Sequence, residues 1–330
     1  MVNNIFLVYT EYHIMQSINI ILHYYNDCNN IIYYRENDRI KDFNSINCNY
    51  HFEKLSVSND YNACFLQLMS YSPDNYFFFQ EMGGFNVYLA YSMHKNGVKV
   101  NLVQDGLKPY VEWHKKHAFI SSVKDTFNVH KEIHRCNGIF NNFSLLNFYK
   151  YGNFYYINSL WLTHPKSFPF IAKEIKEIPT FTDSIIKVLN KQFSFVPSNN
   201  NNDLVLIIGQ NMGIDNYKED VLIIENIIDR YNGRRILFKP HPNTIDVHLN
   251  SLKELSGLEF VAGQFPVELL ILNLSNSIII SGYSTSALTY NPTCKYFWTH
   301  KLYKKNKVSS QYTVNNPTDY IHEIDCLDEL

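Results

Sequence analysis

The chain has 330 residues, of which 45% are hydrophobic and 18% charged, and its net charge is −2. This composition is typical of a globular protein of about two domains, and it excludes both a disordered chain and a sequence-wide basic surface for nucleic acid. No apolar run approaches the roughly 18 residues that a membrane span requires, so none is predicted. The six cysteines form no Cys-x-x-Cys pair and indicate free thiols in a reducing, cytoplasmic compartment.

The first hundred residues alternate between short apolar runs and segments with helical spacing. Strands are predicted at NIFLVY, NIIYY, NYFFFQ and VKVNLVQDG. Amphipathic helices are predicted between them, over 11–25, 60–71 and 85–97. The N-terminal run is interpreted as a first strand and not as a signal peptide, because Glu11 and His13 interrupt it. Such βα alternation predicts a parallel sheet that is covered on both faces.

A second series of the same kind follows a break in the pattern. The middle of the chain, about 110–190, is less regular and is predicted to be mostly helical. A run of proline, serine and asparagine at 194–203 then indicates a linker. After it, strands are predicted at LVLIIGQ, RRILFKP, LEFVAG and SIIISG, and helices at YKEDVLIIENIIDRYNG, PVELLILNL and STSALTY. We therefore predict an α/β protein with an N-terminal Rossmann-like domain over 1–192, a linker over 193–203 and a C-terminal Rossmann-like domain over 204–330.

Residues that directly follow the predicted strands are the candidates for function, because open parallel sheets bind ligands beyond the carboxyl ends of their strands. The first candidate is Asp105, which follows a strand and precedes Gly106, a residue that permits a tight turn. A carboxylate at this place can accept a proton from a hydroxyl nucleophile. Asp-Gly is also among the commonest turn dipeptides, so a purely structural turn is the alternative.

The second candidate is the segment Lys-Pro-His-Pro at the end of the strand RRILFKP. Lys239 and His241 each precede a proline, and residues before proline are held extended, so both side chains are aimed rigidly. A histidine can donate to a phosphate oxygen and can pass a proton near neutral pH, while a lysine adds a point charge. The alternative is a stiffened loop that binds nothing.

The remaining candidates lie at element boundaries of the second half. Ser284 and Thr285 open a predicted helix after the strand SIIISG, where free N–H groups and hydroxyls suit a phosphate, although both residue types are also common structural caps. Gly209 and Gln210 end a strand where backbone and amide can meet a base. Glu268 begins a helix, where it can accept hydrogen bonds from ribose hydroxyls.

Several motifs that would indicate other chemistry are absent from the sequence. It contains no Gly-x-x-x-x-Gly-Lys-[Ser/Thr] and no Gly-x-Gly-x-x-Gly, which weakens the ATPase and dinucleotide interpretations. It also contains no Asp-x-Asp and no His/Cys cluster at metal-ligand spacing. A transferase that uses a metal-bound diphosphate sugar is therefore disfavoured, and a donor with a single phosphate suits the chain better.

Asp-Gly in the first half is followed in the second half by Lys-Pro-His-Pro, Pro-x-Glu-Leu-Leu and Tyr-Ser-Thr. With these motifs in this order, the chain resembles the bacterial sialyltransferases of GT-B fold. The most similar group is the lipooligosaccharide sialyltransferase family (glycosyltransferase family 52) with its polysialyltransferase relatives. The resemblance covers most of the chain and is strongest over Leu204–Leu288. It implies two Rossmann-like domains that face each other across a cleft, with the acceptor on the first and a CMP-sugar on the second.

The resemblance also implies a role for each candidate residue. Asp105 matches the general base, and His241 matches the histidine that meets the leaving CMP phosphate. The other matches concern the donor: Ser284 and Thr285 for phosphate, Glu268 for ribose, and Gly209 with Gln210 for cytosine. Lys239 is assigned to the phosphate by its charge and not by the resemblance. Tyr12 and His13 are weaker candidates for the acceptor side or the cleft. Gln104 departs from the pattern, because the motif usually carries an acidic residue there, while the base itself is kept.

The function implied by the resemblance is an inverting, metal-independent transfer of sialic acid or a related nonulosonic acid from a CMP-activated donor. The CMP-sugar is a co-substrate, and no cofactor is expected. The acceptor is a hydroxyl of a surface glycan such as lipooligosaccharide or capsule, expected to be galactose-terminated. We expect a cytoplasmic protein that acts at the inner face of the cytoplasmic membrane, and leave peripheral membrane association and a homodimer open.

Three alternatives stay open at the level of the sequence. The first is transfer of another CMP-activated acid, such as Kdo, legionaminate or pseudaminate, because the motifs do not contact the sugar. The second is a polyol-phosphate transferase of teichoic-acid type that uses CDP-glycerol, since those enzymes also carry a His-Pro and a Ser-rich helix start. The third is a nucleotide-binding protein that keeps the pocket without catalysis.

Overall fold

The structure is a computed structural model that describes residues 1–35, 43–55, 60–113, 123–124, 127–128, 131–132, 134, 151–168, 173–198, 201–263, 265–303 and 312–330. Within these ranges the strands are β1 (Asn3–Val8), β2 (Asn29–Tyr34), β3 (His51–Lys54), β4 (Asn75–Phe78), β5 (Lys99–Val103), β6 (Val111–Trp113), β7 (Ser159–Leu162), β8 (Glu174–Glu177), β9 (Val205–Ile208), β10 (Ile236–Lys239), β11 (Leu258–Phe260), β12 (Ile278–Ser281), β13 (Lys295–Trp298), β14 (Tyr312–Val314) and β15 (Ile321–Glu323). The α-helices are α1 (Glu11–Tyr24), α2 (Tyr61–Met69), α3 (Gly84–Lys95), α4 (Asp183–Gln192), α5 (Gly213–Arg230), α6 (Asp246–Lys253) and α7 (Val267–Leu272).

The chain divides into two compact units. The first contains Met1–Gln192 and Gln311–Pro317, and the second contains Phe193–Ser310 and Thr318–Leu330. Residues 311–317, which the sequence analysis placed in the second domain, therefore belong to the first. The cause is β14, which pairs antiparallel with β6, Thr313 opposite Glu112. A three-residue strand carries too little periodicity to reveal its partner from sequence.

In the first unit, seven strands form one parallel sheet in the order β3-β2-β1-β4-β5-β7-β8. The interior strand β1 is buried from Asn4 to Val8, because helices cover both faces of such a sheet, and four of these five residues are apolar. The strand order reverses between β1 and β4. Such a reversal opens a crevice at the carboxyl ends of the strands, so the loops after β1, β4 and β5 lie together.

A row of asparagines fixes the register at the opposite edge of this sheet. Asn4 on β1 donates to Asn30 on β2 and accepts from Asn75 on β4, each at 2.9 Å. These three residues are also paired across the ladder, and Asn4 and Asn30 are buried. A slip of one residue would leave the buried amides without these partners, so the row holds the strand ends level.

The prediction that about 110–190 is mostly helical is wrong for residues 151–192, while 135–150 lie outside the described residues. The described stretch contains β7 and β8 as well as α4. The four residues of β7, SLWL, are all buried, and Leu160 pairs with Leu102 of β5. A buried run of four residues does not show a period, and periodicity alone cannot tell it from a helical segment.

In the second unit, six strands form a parallel sheet in the order β11-β10-β9-β12-β13-β15. This is the Rossmann order, with its reversal between β9 and β12. Val205, Ile207, Phe238 and Ile280 from the central strands form a buried core with residues of α5. The carboxyl ends of β9, β10 and β12 therefore meet at one edge, and four of the predicted donor residues follow these ends.

The helix predicted at STSALTY is only a short 3-10 helix, Thr285–Leu288. The backbone N–H of Thr289 bonds to the carbonyl of Ser286 at 3.0 Å, which is 3-10 and not α geometry. Pro292 follows three residues later, and β13 already begins at Lys295, so no length remains for an α-helical crossover. The end of β12 thus continues as a compact loop.

Two further expectations concern membranes and cysteines. Within the described part of the chain, no helix is both long and apolar enough to cross a bilayer. Cys28, Cys48, Cys294 and Cys326 are free thiols, and Cys136 lies outside the described residues.

Candidate active site

At the carboxyl edge of the first sheet, His13 and Asp105 are in contact. His13 lies in the first turn of α1, which follows β1, and Asp105 follows β5. His13 Nε2 lies 3.2 Å from Asp105 Oδ1. The side chain of His13 is fully buried, whereas 29% of the Asp105 side chain is exposed. The carboxylate is therefore the member of the pair that a substrate can reach.

The ring of His13 is held so that Nε2 faces the carboxylate. The backbone N–H of Tyr9 donates to Nδ1 at 3.2 Å, so the hydrogen of the neutral ring is on Nε2. The ring stacks on Phe79 with a centroid distance of 4.2 Å and planes 7° apart. Thr10 caps α1 by accepting from the backbone N–H of His13. His13 thus presents an N–H to Asp105 in a fixed direction.

The surroundings of Asp105 keep its carboxyl group ionised. Burial alone would raise the pKa of Asp105, but the contact with His13, the Lys108 ammonium and the Gln80 amide together hold that pKa below its ordinary value. An ionised and partly exposed carboxylate can accept a proton from a hydroxyl group.

Gln104, which departs from the acidic pattern, is a buried hydrogen-bonding centre. Its Oε1 accepts from the hydroxyl of Tyr110 at 3.0 Å and from the N–H and hydroxyl of Thr163 at 2.9 and 3.1 Å. Its Nε2 donates to the carbonyl of Gly106 at 3.0 Å. Burial raises the pKa of Tyr110 to about 12, so this hydroxyl keeps the proton that it donates. Gln104 therefore joins the turn that carries Asp105 to the end of β7.

His164, which the sequence analysis missed, lies at the same edge. It comes two residues after β7, the neighbour of β5. Its Nδ1 is 3.0 Å from Thr163 Oγ1, and its backbone N–H donates to the hydroxyl of Tyr110. The available signal was Thr-His directly after the apolar run SLWL, but that run lay in the segment predicted to be helical.

Tyr12, the other weak candidate on the acceptor side, packs beside His13. Its hydroxyl accepts from Gln16 Nε2 at 3.1 Å, and its ring meets the ring of His13 edge-on at 6.3 Å. The ring of Tyr12 thus packs against the ring of His13.

In the second unit, the Lys-Pro-His-Pro segment turns directly after β10. His241 Nδ1 accepts from the backbone N–H of Asn243 at 3.1 Å. The carbonyl of His241 accepts from the N–H and hydroxyl of Thr244 at 2.9 and 2.7 Å. Because Nδ1 is an acceptor, the hydrogen of the neutral ring is on Nε2. The turn therefore holds a half-buried histidine whose neutral ring carries its hydrogen on Nε2.

Lys239, at the end of β10, contacts the segment that precedes α7. Its Nζ donates to the carbonyl of Gly263 at 3.0 Å and lies 4.6 Å from the centroid of the Phe265 ring. These contacts tie the strand end to that segment. The phosphate role of Lys239 stays a prediction.

Gly209 and Gln210 follow β9, where the strand order reverses. A Cβ on Gly209 would lie 3.2 Å from the backbone nitrogen of His241, so glycine allows the ends of β9 and β10 to approach closely. With its amide oriented so that the oxygen faces the neighbouring N–H donors, Gln210 Oε1 accepts from the backbone N–H of Gly282 at 2.7 Å and from that of Tyr283. The amide that the sequence analysis assigned to cytosine is thus engaged by the loop after β12.

Ser284 and Thr285 lie in that loop, and Glu268 reaches it from α7. Ser284 Oγ accepts from the backbone N–H of Ser286 at 3.2 Å, and the Ser286 hydroxyl donates to Glu268 Oε1 at 2.6 Å. Only 6% of Glu268 is exposed, and one oxygen of its carboxylate accepts from the loop. The structure brings these predicted donor residues together, and their ribose and phosphate roles stay predictions.

The described ranges contain no group of three His, Cys, Asp or Glu side chains arranged as metal ligands.

Comparison with known families identifies the group to which the chain belongs. The family model for alpha-2,8-polysialyltransferase matches residues 3–296, which include parts of both units. The chain belongs to the alpha-2,8-polysialyltransferase family. The matched range includes every candidate residue of this polysialyltransferase-family protein, from Tyr12 to Thr285. A search with its sequence finds no significantly similar curated protein.

Solved structures that resemble this polysialyltransferase-family protein share its fold at low sequence identity. A 2,6-sialyltransferase from a Photobacterium species, in a complex with CMP and lactose, matches with a TM-score of 0.56 and 13% identity over 90% of this chain and 71% of that chain. The GT-B domain of a sialyltransferase from Photobacterium damselae matches with a TM-score of 0.50 and 12% identity over 91% of each chain. A UDP-GlcNAc 2-epimerase from Methanocaldococcus jannaschii matches with a TM-score of 0.50 and 13% identity over 98% and 89% of the two chains.

These matches confirm the predicted α/β fold of GT-B type and the predicted resemblance to bacterial sialyltransferases. At such identities the structural likeness shows the fold alone. The class of activity follows from the family, which identifies the protein as a glycosyltransferase of the sialyltransferase type.

Proposed function

We propose that this protein transfers sialic acid, or a related nonulosonic acid, from a CMP-activated donor to a hydroxyl of a surface glycan, with inversion at the anomeric carbon. The observation that carries the proposal is the His13–Asp105 pair at the carboxyl edge of the first sheet. Family membership supports the class of reaction, and the pair provides a base for it. The Photobacterium enzyme of similar fold was solved with CMP and lactose, which supports a CMP donor and a glycan acceptor.

Asp105 is the general base in this proposal. The acceptor oxygen forms a bond to the anomeric carbon while the bond from that carbon to the phosphate oxygen breaks, and its electrons leave with CMP. The hydroxyl proton passes to the Asp105 carboxylate, which is ionised and partly exposed. The buried His13 does not touch the substrate and acts by orienting the carboxylate.

His241 meets the departing phosphate in this proposal. Negative charge grows on the CMP phosphate as the bond breaks, and a donor that already points at this charge lowers the barrier. Because Nδ1 accepts from Asn243, the hydrogen of the neutral ring is on Nε2, and we assign this N–H as that donor. A histidine can also deliver a proton to the phosphate near neutral pH.

The other donor contacts are assigned to the edge formed by β9, β10 and β12. Ser284 and Thr285 would bind the phosphate together with Lys239, and Glu268 would bind the ribose. The support for this assignment is that Ser286 links the Ser284 loop to Glu268, so both parts of the nucleotide would be held by one connected segment.

We also propose that the reaction requires no metal ion. The donor carries a single phosphate, whose charge can be met by a histidine, a lysine and two hydroxyls. Activity in excess EDTA should therefore equal activity in buffer. Complete loss of turnover on chelation, restored by Mg²⁺ or Mn²⁺, would contradict the metal-free mechanism.

The deciding experiment measures CMP release from CMP-Neu5Ac, CMP-Kdo and CDP-glycerol, each with a panel of galactosides and sialylated oligosaccharides. We expect acceptor-dependent release from CMP-Neu5Ac, with the mass of the product increased by one sialic acid. Preference for CMP-Kdo would reassign the transferred acid, and release from CDP-glycerol alone would assign polyol-phosphate transfer. Binding of CMP without turnover of any donor would favour a nucleotide-binding protein.

A further inference from the structure

We propose that Gln210 is a positioning residue that holds the loop Gly282–Ser284 in its donor-binding conformation. The inference rests on the proposed function, because that loop is assigned to the CMP phosphate. It replaces the contact with cytosine that the sequence suggested for Gln210. In this role the side chain acts through the loop and does not touch the donor.

The register of the sheet brings Gln210 level with this loop. Strands β9 and β12 are parallel neighbours, and Ile208 is paired with Ser281. Two residues beyond that pair, the side chain of Gln210 reaches across to the other strand end, where its Oε1 accepts from two consecutive backbone N–H groups, those of Gly282 and Tyr283. One amide oxygen thus satisfies both groups at the point where the chain leaves β12.

Gly282 leaves space for the Gln210 side chain against the backbone of the loop. A Cβ on Gly282 would lie 2.5 Å from Gln210 Cδ, closer than real Cβ contacts come, so only glycine leaves room for the amide in this position. Any other residue at position 282 would require the Gln210 amide to shift. Gly282 thus lets the amide lie directly against the backbone of the loop.

A second contact holds the same loop from the side of Tyr283. Its ring stacks on His300 with a centroid distance of 4.0 Å and an interplanar angle of 15°, and it meets Trp298 edge-on. Burial lowers the pKa of His300 to about 4, so this ring is neutral at physiological pH and packs as an aromatic group. The loop is thus held through its backbone by Gln210 and through its side chain by His300.

The consequence concerns the hydroxyls that follow in the chain. Paired N–H groups at a strand end of an open α/β sheet are the usual donors to a phosphate. Here Gln210 occupies both, and the hydroxyls of Ser284 and Thr285 remain as the donors assigned to the phosphate. Their placement depends on the two residues before them, which is the segment that Gln210 holds.

Hydrogen exchange tests the contact without reference to activity. In Gln210→Leu the amide oxygen is removed at nearly constant volume, and the N–H groups of Gly282 and Tyr283 should exchange about tenfold faster than in the wild type. Gln210→Glu keeps an acceptor oxygen and should retain most of the protection. Asn211→Leu, at the exposed neighbouring residue, is the matched control and should leave exchange unchanged. Equal exchange in Gln210→Leu and the wild type would overturn the proposal.

Binding and kinetics test the consequence for the donor. Gln210→Leu should weaken CMP binding and raise the donor KM by about tenfold, with a smaller effect on kcat. Unchanged or tighter CMP binding in Gln210→Leu would overturn the proposal, because it would show that the amide only blocks the N–H pair. If the wild-type protein turns over no CMP-sugar, the proposed function is wrong. The hydrogen-exchange result would still decide whether Gln210 holds the loop.

Discussion

His13 and Asp105 come from two strand ends that are separated by a third strand, yet Nε2 and Oδ1 lie 3.2 Å apart. The contact forms because α1 starts three residues after β1, and its first turn carries His13 over the end of β4, where Phe79 stacks on the ring. The pair is therefore a product of the strand order β1-β4-β5 and not of closeness in sequence.

Asp105→Asn keeps the shape of the side chain but removes the proton acceptor. Turnover should fall by about 10²–10⁴-fold, the usual contribution of a general base. CMP affinity measured by calorimetry should stay at the wild-type value, because the proposed donor residues belong to the second unit. Asp183→Asn, at an exposed position in the first turn of α4, is the matched control for the charge. Loss of CMP binding in Asp105→Asn would contradict this division of roles.

Substitution of His13 should move the pH dependence of the reaction. His13 helps to hold the pKa of Asp105 down against burial, so its removal should raise that pKa. In His13→Leu the acidic limb of the kcat/KM profile should therefore shift to higher pH, whereas His13→Gln, which can still offer an N–H, should shift it less. An acidic limb that stays at the same pH in His13→Leu would show that the pair does not set the titration of the base.

The sequence predicted Asp105 and His241 as candidates because both follow buried apolar runs. A parallel sheet collects such positions at one edge, so the candidates could be named without knowing the strand order. The contact between His13 and Asp105 could not be predicted, since it depends on which strands are neighbours. For the same reason His13 appeared only as a weak candidate.

The contacts of two glutamines, Gln104 and Gln210, could not be predicted from the sequence either. In the sequence, Gln104 is a departure from an acidic motif. In the structure, its side chain makes four hydrogen bonds, to residues up to 59 positions away. Gln210 was assigned to a base because it ends a strand, and that role stays a prediction, while its amide oxygen accepts from a loop 72 residues further on, which is the basis of our proposal that it positions this loop. An amide side chain has donors and acceptors that suit either use, and only tertiary structure decides between them.

Gln104→Leu should destabilise the first unit and impair catalysis together. The substitution removes the acceptor of three buried or partly buried donors from Tyr110 and Thr163, and each unsatisfied donor costs about 1–3 kcal/mol. We expect the free energy of unfolding in denaturant to fall by about 3 kcal/mol or more, with lower turnover because the turn of Asp105 is no longer tied to β7. Gln104→Glu keeps an acceptor oxygen but loses the bond to Gly106 and buries a carboxyl group, so it should also be less stable than the wild type. Wild-type stability in Gln104→Leu would refute the role of this amide.

Three substitutions of His241 separate its two ring nitrogens. Nδ1 holds the turn by accepting from Asn243, and Nε2 carries the hydrogen that we assign to the CMP phosphate. Asn approximates the Nδ1 position and Gln the Nε2 position, so His241→Gln should retain more turnover than His241→Asn, and His241→Ala should lose about 10²-fold or more. The melting temperature should change little in all three, because the side chain is only half-buried at a strand end.

His51→Ala, at a partly exposed histidine of the first unit, is the control and should keep wild-type turnover. Turnover near the wild-type level in His241→Ala would remove His241 from the reaction, and a ranking with Asn above Gln would place its function in the turn instead of at the phosphate.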